Sequence, residues 1–262
     1  MTRRIAIVLA AGKGTRMKSE LPKVLIEVCG RPMIDYVLDA IAEVGVDDVL
    51  VVVGYRSDLV RRALAGRKGV RFVEQTEQLG TGHAVMVCRE GLSGHDGAVL
   101  IVTGDSPLTQ PDSLDKLLAQ FDRDRPACLL GTAHKQNPHG LGRIVRGAQG
   151  EFEHIVEEKD ASDAERKITE VNLSCYVFDC RELLFALDHL RPSNAQAEYY
   201  LTDCPGVLHA AKRKVQALPV LKPIETLSIN TPDELAAVEA ALRGAGMPQE
   251  GGPSQPISTR LS

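Results

Sequence analysis

The sequence predicts an α/β fold with a mostly parallel mixed sheet and helices on both faces. The first observation is an alternation of short Val-, Ile- and Leu-rich runs with helical patterns. The second is a length of 262 residues, enough for one large α/β domain or two small ones. The third is a composition of 44% hydrophobic and 25% charged residues, which is typical of a globular chain.

The elements follow from the apolar runs and the turn residues between them. Strands are predicted at residues 4–9, 48–53, 70–74, 98–102 and 127–134, and helices at 32–44, 57–65, 81–90, 111–121 and 181–190. Their order implies βαβ units, in which the connecting helices cover both faces of a parallel sheet.

The pattern changes after residue 140. Strand-like segments at 142–145, 152–157 and 170–179 are joined by polar stretches, which predicts antiparallel strands added to the parallel core. Near the end, Thr231 and Glu234 form a capping-box pattern that opens a helix to about Arg243. We expect one domain over residues 1–245 and a disordered, Gly-, Pro- and Ser-rich tail over residues 246–262.

Composition also excludes several classes of function. A net charge of −4 and 4% aromatic residues argue against nucleic-acid binding. The longest apolar runs are strand-sized, so a membrane span is not expected. The six cysteines show no paired metal spacing and the histidines no cluster, so we expect reduced thiols in a cytoplasmic protein and no transition-metal site.

The most informative segment is the glycine loop LAAGKGTRMKSELPKVL at residues 9–25. Its small residues let backbone N–H groups approach phosphate oxygens, and Lys13, Arg16 and Lys23 supply countercharge. The dinucleotide fingerprint fails because Met17 stands where its third glycine belongs, and the P-loop fails because Gly14 follows the lysine. The alternative to anion binding is a tight turn with solvated cations.

Gly-x-Gly-Thr-Arg followed by Pro-Lys resembles the signature of the sugar-1-phosphate nucleotidyltransferases. Further motifs, in order along the chain, are QTEQLGTGHA at 75–84, TGDSPL at 103–108, GRI at 142–144, IVEEKDA at 155–161 and NAQAEYYLTD at 194–203. Together they resemble the uridylyltransferase half of the bifunctional N-acetylglucosamine-1-phosphate uridylyltransferase/glucosamine-1-phosphate acetyltransferase family, over residues 5–230. This resemblance implies a Rossmann-like nucleotide-diphospho-sugar transferase fold with a small antiparallel extension on the sugar side.

The resemblance also implies roles for individual residues. Arg16 and Lys23 would hold the reacting phosphates, and Asp105 and Asn230 would bind Mg²⁺. The nucleotide would contact Leu9, Ala10, Ala11, Gly12, Gly14, Gln75, Gly80, Thr81 and Gly104, and the sugar would contact Gly142, Glu157 and Asn172. Other interpretations stay open: Asp105 and Asn230 suit turns, Glu157 suits an exposed strand, and Tyr199 and Tyr200 suit core packing.

The implied reaction is magnesium-dependent formation of UDP-N-acetylglucosamine and pyrophosphate from UTP and N-acetylglucosamine-1-phosphate. The alternatives are another sugar-1-phosphate such as glucose-1-phosphate, another nucleotide, or a nucleotide-sugar-binding protein without catalysis. Leu173 and Ser174 replace the Thr-Gly usual in the family, and residues 229–235 look more like the ending of cytidylyl- and molybdopterin-type enzymes. No left-handed β-helix repeats follow, so we expect neither acetyl transfer nor the family trimer, and a monomer or small homo-oligomer instead.

Overall fold

A computed structural model describes residues 3–14, 17 and 19–244 of the chain. Its strands, numbered in chain order, are β1 (Arg4–Ala10), β2 (Glu27–Val28), β3 (Arg31–Pro32), β4 (Val49–Val53), β5 (Val70–Glu74), β6 (Ala98–Thr103), β7 (Cys128–His134), β8 (Gly142–Arg146), β9 (Phe152–Val156), β10 (Glu170–Asp179) and β11 (Val215–Leu218). Its helices are α1 (Met33–Glu43), α2 (Ser57–Ala63), α3 (Thr81–Met86), α4 (Pro111–Asp124), α5 (Cys180–His189), α6 (Asp203–Ala210) and α7 (Pro232–Gly244).

The main sheet has the strand order β11-β7-β10-β6-β1-β4-β5. Strands β6, β1, β4 and β5 are parallel neighbours, and β7 is parallel to β11. Strand β10 lies between β6 and β7 and is antiparallel to both, while the β8–β9 hairpin attaches to its first residues. The predicted mostly parallel mixed sheet with a small antiparallel extension is therefore confirmed. The antiparallel strand predicted at 170–179 is present as β10, and its residues 176–179 lie inside the main sheet between β6 and β7.

Strand β10 changes partners at a bulge. Its residues Val171 and Asn172 pair with β8, whereas residues 176–179 pair with β6. The pairing register with β7 shifts between Asn172 and Cys175, so Leu173 and Ser174 form the bulge. Ser174 has a φ of 53°, in the left-handed region that favours glycine. The Leu-Ser pair that departs from the family's Thr-Gly therefore lies at the bend of this strand.

Two apolar layers cover the two faces of the sheet. Along β1, Ala6 and Val8 face a layer formed with α1, α2 and α4, whereas Ile5 and Ile7 face a layer formed with α3, α5 and α6. This alternation is the period-two pattern of a strand, with both sides buried as in a doubly covered sheet. Helices on both faces are therefore confirmed.

The last helix closes a smaller core beside the sheet. Glu234 accepts from the Thr231 backbone N–H at 3.1 Å, and the Glu234 N–H donates to the Thr231 hydroxyl at 3.2 Å, so the predicted capping box is present. Val238 and Leu242 of α7 pack with Val28 and other buried residues. This packing holds the segment that precedes α7, including Asn230, against the rest of the fold.

The structure departs from the predicted elements in a few places. Helix α3 ends at Met86, and a 3₁₀ turn at Glu90–Leu92 follows it instead of a continuous helix to residue 90. Helix α6 and strand β11 were not predicted. Within the described residues there is no β-helix, and none of their helices is both long and apolar enough to cross a membrane. The tail predicted at 246–262 lies outside the described part of the chain.

Candidate active site

The predicted nucleotide residues gather where the parallel strands end. Ala10 ends β1, Gln75 directly follows β5, and Gly104 directly follows β6. The Gly104 N–H donates to the Leu9 carbonyl at 2.9 Å, which ties the loop after β6 to the end of β1. The carboxyl edge of a parallel sheet is where α/β proteins bind ligands. The topology therefore brings together residues that are far apart in sequence.

One ammonium and two oxygen donors meet at this edge. The Lys23 Nζ donates to Asp105 Oδ2 at 2.6 Å and to Asn230 Oδ1 at 3.1 Å. The Lys23 and Asp105 side chains are 17% and 29% exposed, so the pair is shielded but reachable from solvent. The three residues come from the glycine loop, from the turn after β6 and from the segment before α7. Their convergence agrees with a common role in binding charged groups.

The position of Lys23 depends on the glycine loop. Lys23 begins a 3₁₀ turn after Pro22, whose fixed φ suits that start. Gly14 has a φ of 67°, and a Cβ there would lie 2.7 Å from the Cβ of Lys23. Only glycine allows this backbone conformation and this contact together. Gly14 thus packs directly against the lysine stem, and a side chain there would displace Lys23.

The donor set around Lys23 fits magnesium. Asp105 and Asn230 offer one carboxylate and one amide oxygen, the ligand types that Mg²⁺ prefers. Among the described residues, no group of three or more His, Cys, Asp or Glu side chains could hold a metal ion. Two protein oxygens are sufficient for Mg²⁺, which keeps waters and takes substrate phosphate oxygens as its remaining ligands. The same two oxygens already bond to a cation, the ammonium of Lys23.

The QLGTG segment is held in a fixed conformation beside Gln75. The buried Gln75 side chain donates from Nε2 to the Gly80 carbonyl at 3.1 Å. Gly80 has a φ of 106°, and a Cβ there would lie 2.5 Å from the Tyr199 carbonyl. The Thr81 hydroxyl accepts from the Leu201 N–H at 3.0 Å. The NAQAEYYLTD motif thus supports the QLGTG segment through backbone contacts.

Sequence reasoning missed two residues that support the glycine loop. Gln78 Nε2 donates to the Ala11 carbonyl at 3.4 Å, and the Tyr55 N–H donates to the same carbonyl at 3.1 Å. The Lys13 ammonium lies 5.1 Å from the centre of the Tyr55 ring, within cation–π range. Gln78 lies inside the QTEQLGTGHA motif, whereas Tyr55 belongs to none of the sequence motifs.

The three predicted sugar residues also come together. Gly142 pairs with Asn172 across the β8–β10 ladder. A Cβ on Gly142 would lie 3.5 Å from the Asn172 Cβ and 3.6 Å from Glu157 Oε1. Asn172 is buried, its Nδ2 donates to the Tyr176 hydroxyl at 2.8 Å, and its Oδ1 accepts from the Ser174 N–H at 3.3 Å. Tyr176, a missed residue, therefore fixes the Asn172 amide.

A cavity of about 420 Å³ lies beside Glu157. Its walls include the carboxylates of Glu157, Asp160 and Asp203 and the ring of Tyr200. Burial raises the pKa of Glu157, and the Asp160 carboxylate adds to that rise. Burial, together with Glu157 and Asp160, raises the pKa of Asp203 to about 6. The like charges therefore oppose each other in this cavity, and Asp203 takes up a proton near pH 6.

One predicted site residue cannot be located. Arg16 lies outside the described residues, so its predicted role at the phosphates stays a prediction. Every other predicted residue has a place. The nucleotide residues and Lys23, Asp105 and Asn230 surround the carboxyl edge of the sheet, and Gly142, Glu157 and Asn172 form one cluster on the hairpin side.

Comparison with a known structure agrees with the fold. The chain superposes on the crystal structure of UDP-glucose pyrophosphorylase complexed with UDP-glucose with a TM-score of 0.74 and 17% sequence identity. The match covers 94% of this chain and 100% of that protein's chain. The predicted nucleotide-sugar transferase fold is therefore confirmed.

Curated relatives are much more similar in sequence, and each is named bifunctional protein GlmU. The relative from Pelotomaculum thermopropionicum is 45% identical over 238 residues, which are 91% of this chain and 52% of the relative. The relative from Geotalea daltonii is 43% identical over 243 residues, which are 93% of this chain and 53% of the relative. The chain thus spans about half the length of these relatives, which agrees with the resemblance that the motifs predicted.

A family model describes the shared part. The model of the MobA-like NTP transferase domain matches residues 6–175, which include the glycine loop, Lys23, Asp105 and the hairpin residues Gly142 and Glu157. The match extends from β1 into β10 and so covers most of the sheet that carries the candidate site. On this match, the chain belongs to the family of MobA-like NTP transferase domains.

Proposed function

We propose that the chain is a uridylyltransferase that forms UDP-N-acetylglucosamine and pyrophosphate from UTP and N-acetylglucosamine-1-phosphate. The observation that carries this proposal is the convergence of Lys23, Asp105 and Asn230 beside the glycine loop. A cation and two oxygen donors at that point suit a metal-bound triphosphate. Membership of an NTP transferase family and 45% identity to a protein named bifunctional GlmU support the proposal.

In the proposed reaction, an oxygen of the sugar-1-phosphate attacks the α-phosphorus of UTP. A new P–O bond forms, the bond from the α-phosphorus to the bridging oxygen breaks, and pyrophosphate leaves with the bonding electrons. The attacking phosphate oxygen is already ionised at neutral pH, so no general base is needed. The protein contributes orientation and charge neutralisation, which dominate catalysis of phosphoryl transfer.

Each phosphate-side residue has a specific task. Lys23 supplies a positive charge to the reacting phosphoryl group, and Arg16 supplies one to the β and γ phosphates. Asp105 and Asn230 would hold Mg²⁺, which would supply charge neutralisation at the phosphates. Gly12 lets the backbone approach the phosphates. In the part of the chain that the structure describes, no atom lies within 4 Å of where a Cβ on Gly12 would be. The space beside Gly12 is thus open for a ligand.

The sugar-side residues keep hydrogen-bonding capacity for a substrate. The Asn172 amide has two N–H donors and two acceptor sites, and its hydrogen bonds to Tyr176 and Ser174 use one of each. The remaining donor and acceptor suit an acetamido group, and the Glu157 carboxylate suits sugar hydroxyls. A site built from such groups penalises analogues that lack the matching partners.

The same chemistry with another sugar-1-phosphate, such as glucose-1-phosphate, is the second candidate. The observation in its favour is the bulge at Leu173 and Ser174, directly after Asn172, where the family's Thr-Gly is absent.

The six cysteines are free thiols, five of them buried, which supports our inference of a reducing, cytoplasmic location.

The test is pyrophosphate release by the purified chain with Mg²⁺. UTP, CTP, ATP and GTP are each combined with N-acetylglucosamine-1-phosphate, glucosamine-1-phosphate and glucose-1-phosphate. We expect selective turnover of UTP with the N-acetylated sugar, and loss of turnover with EDTA or in Asp105→Ala. Preference for another pair would reassign the substrate. A protein that binds UDP-N-acetylglucosamine but turns over no pair would be a sensor, contrary to the proposal.

A further inference from the structure

An ion pair between a buried arginine and a partly exposed glutamate lies next to the predicted sugar residues and has no part in the proposed chemistry. Arg143 follows Gly142 in β8, and Glu158 follows Glu157 just beyond β9. The Arg143 Nη2 donates to Glu158 Oε2 at 2.6 Å, and the Arg143 side chain is 2% exposed. Each member of the pair is therefore the chain neighbour of a residue that we assign to the sugar.

The pair also fixes the turn that leads into β8. The Arg143 Nη1 donates to the Leu141 carbonyl, and the Gly140 N–H donates to Glu158 Oε2 at 3.0 Å. The backbone groups of the two residues before Gly142 are thus each bonded to one member of the pair. Arg143 and Glu158 therefore determine the path by which the backbone reaches Gly142.

An ion pair of this kind adds little to the stability of the fold. Burial of the Arg143 guanidinium costs free energy that its attraction to a carboxylate only offsets, so an apolar pair of similar volume is often as stable. The Arg143 Nε is buried with no hydrogen-bond partner among the described residues, which adds to the cost. Such a pair is better explained by the geometry that it specifies.

The charge of Arg143 also acts on Glu157. Burial and Asp160 raise the pKa of the Glu157 carboxyl, while the Arg143 guanidinium opposes that rise. Burial likewise disfavours ionised Glu158, but the hydrogen bonds from Arg143 and Gly140 hold its pKa below the usual value. The Arg143 guanidinium thus favours the ionised form of both carboxyls beside the predicted sugar residues.

We propose that Arg143 and Glu158 are positioning residues for the sugar-1-phosphate: the pair fixes the Gly142 backbone and the Glu157 carboxylate in the arrangement that binds the sugar. This inference rests on the proposed function and extends it to residues that need not touch substrate. On this proposal, Arg143 and Glu158 raise the affinity for the sugar-1-phosphate. UTP binding and the chemical step depend on the residues at the carboxyl edge of the sheet.

The experiment compares Arg143→Met, Glu158→Leu, the double variant and Glu158→Gln with the wild type. Glu158→Leu leaves the buried Arg143 charge without its carboxylate and is expected to lower the Tm. Arg143→Met leaves a Glu158 side chain that is 21% exposed and still near Arg166 and His139, so it should lower the Tm less. The double variant removes both charges and is expected to recover the Tm. The KM for the sugar-1-phosphate is expected to rise about tenfold in the double variant, with the KM for UTP and kcat within about twofold. Glu158→Gln keeps an acceptor for Gly140 and Arg143 and should recover part of the sugar affinity. Gln149→Ala, at an exposed residue in the turn between β8 and β9, is the control and should change none of these values.

The outcome separates positioning from simple stability. A double variant that recovers both the Tm and the sugar KM would overturn the proposal, as would equal changes in the KM for UTP and for the sugar. If the wild type turns over a different sugar, the same comparison is made with that sugar, so the proposed substrate can fail while the pair is still tested. If the wild type only binds, calorimetric Kd values for UDP-N-acetylglucosamine and UTP replace the KM values. A wild type that binds neither would refute both proposals.

Discussion

The Lys23 ammonium lies 2.6 Å from the Asp105 carboxylate and 3.1 Å from the Asn230 amide oxygen, so one nitrogen occupies the point on which both oxygens converge. These are the oxygens that we assign to Mg²⁺. On that assignment, Lys23 and a metal ion would compete for the same donors, while both are suited to bind phosphate. The competition makes opposite predictions for metal binding and for turnover.

Lys23→Met should slow turnover and tighten metal binding in the absence of nucleotide. Loss of a charge that stabilises the transition state costs on the order of 10²- to 10³-fold in rate. Removal of the ammonium also frees Asp105 and Asn230 for a cation, so the Kd for Mn²⁺ should fall, measured by electron paramagnetic resonance. Steady-state pyrophosphate release measures the rate.

Lys222→Met is the matched control, because Lys222 also forms a direct pair with an aspartate, Asp112, at 2.7 Å, but outside the site. It should leave both the Mn²⁺ affinity and the rate unchanged. A Lys23→Met protein that binds Mn²⁺ more weakly than the wild type would contradict the competition between lysine and metal.

Gly12→Ala and Gly14→Ala should fail in different ways. A Cβ at Gly12 meets no atom of the described residues within 4 Å, so the fold should tolerate it and the cost should appear as a higher KM for UTP. A Cβ at Gly14 would lie 2.7 Å from the Lys23 Cβ in a backbone with φ of 67°. Gly14→Ala should therefore lower the free energy of unfolding by about 1–2 kcal/mol and also reduce kcat.

Urea denaturation and steady-state kinetics on the same preparations measure both effects. Equal losses of stability in the two alanine variants would be inconsistent with the described loop. An unchanged KM for UTP in Gly12→Ala would argue against phosphate binding at that residue.

Ser174→Gly should stabilise the protein. Ser174 has a φ of 53°, a conformation that costs an L-residue about 1 kcal/mol and glycine very little. Glycine loses more backbone entropy on folding, so the net gain should be about 0.5 kcal/mol, measured as a higher urea midpoint with an unchanged m-value. Ser93→Gly is the control. Ser93 is exposed with a φ of −58°, a conformation that does not strain an L-residue, so Ser93→Gly should leave the stability unchanged or lower it. A lower urea midpoint for Ser174→Gly than for the wild type would show that the backbone of Ser174 is not strained.

The central elements could be predicted from the sequence because their signals are local. Strand β1 and its neighbours are short apolar runs, and the capping box of α7 lies within four residues. The unpredicted elements carry weak local signals. Helix α6 contains Pro205 and Gly206 near its start, and β11 has only four residues. Their formation depends on tertiary packing, as with Cys204 and Leu208 of α6 against the sheet.

The candidate site, like the fold, could be predicted only where its residues lie close together in sequence. The glycine loop is visible in the sequence, because small residues and lysines lie close together there. The Lys23 contact with Asn230 joins residues 207 positions apart, and no local pattern reveals it. The resemblance to a known family suggested both residues, but Tyr176 and Arg143 depend on pairings of β8 and β10 that only the fold reveals.

Asp203→Asn should stabilise the protein more at about pH 7.5 than at about pH 4.5. Burial and the neighbouring Glu157 and Asp160 raise the pKa of Asp203 to about 6, above its unfolded value of about 3.9. Between these values the folded state holds the proton and the unfolded state does not, so the wild type loses stability as pH rises through this window. Asparagine cannot ionise and avoids that loss. The extra gain at the higher pH should be on the order of 1 kcal/mol, after allowance for solvent in the cavity, measured by urea denaturation at both pH values.

Asp163→Asn, at a 99% exposed side chain, should show no such pH-dependent gain. If the effect of Asp203→Asn were equal at the two pH values, the carboxylates of this cavity would not be repelling one another as described.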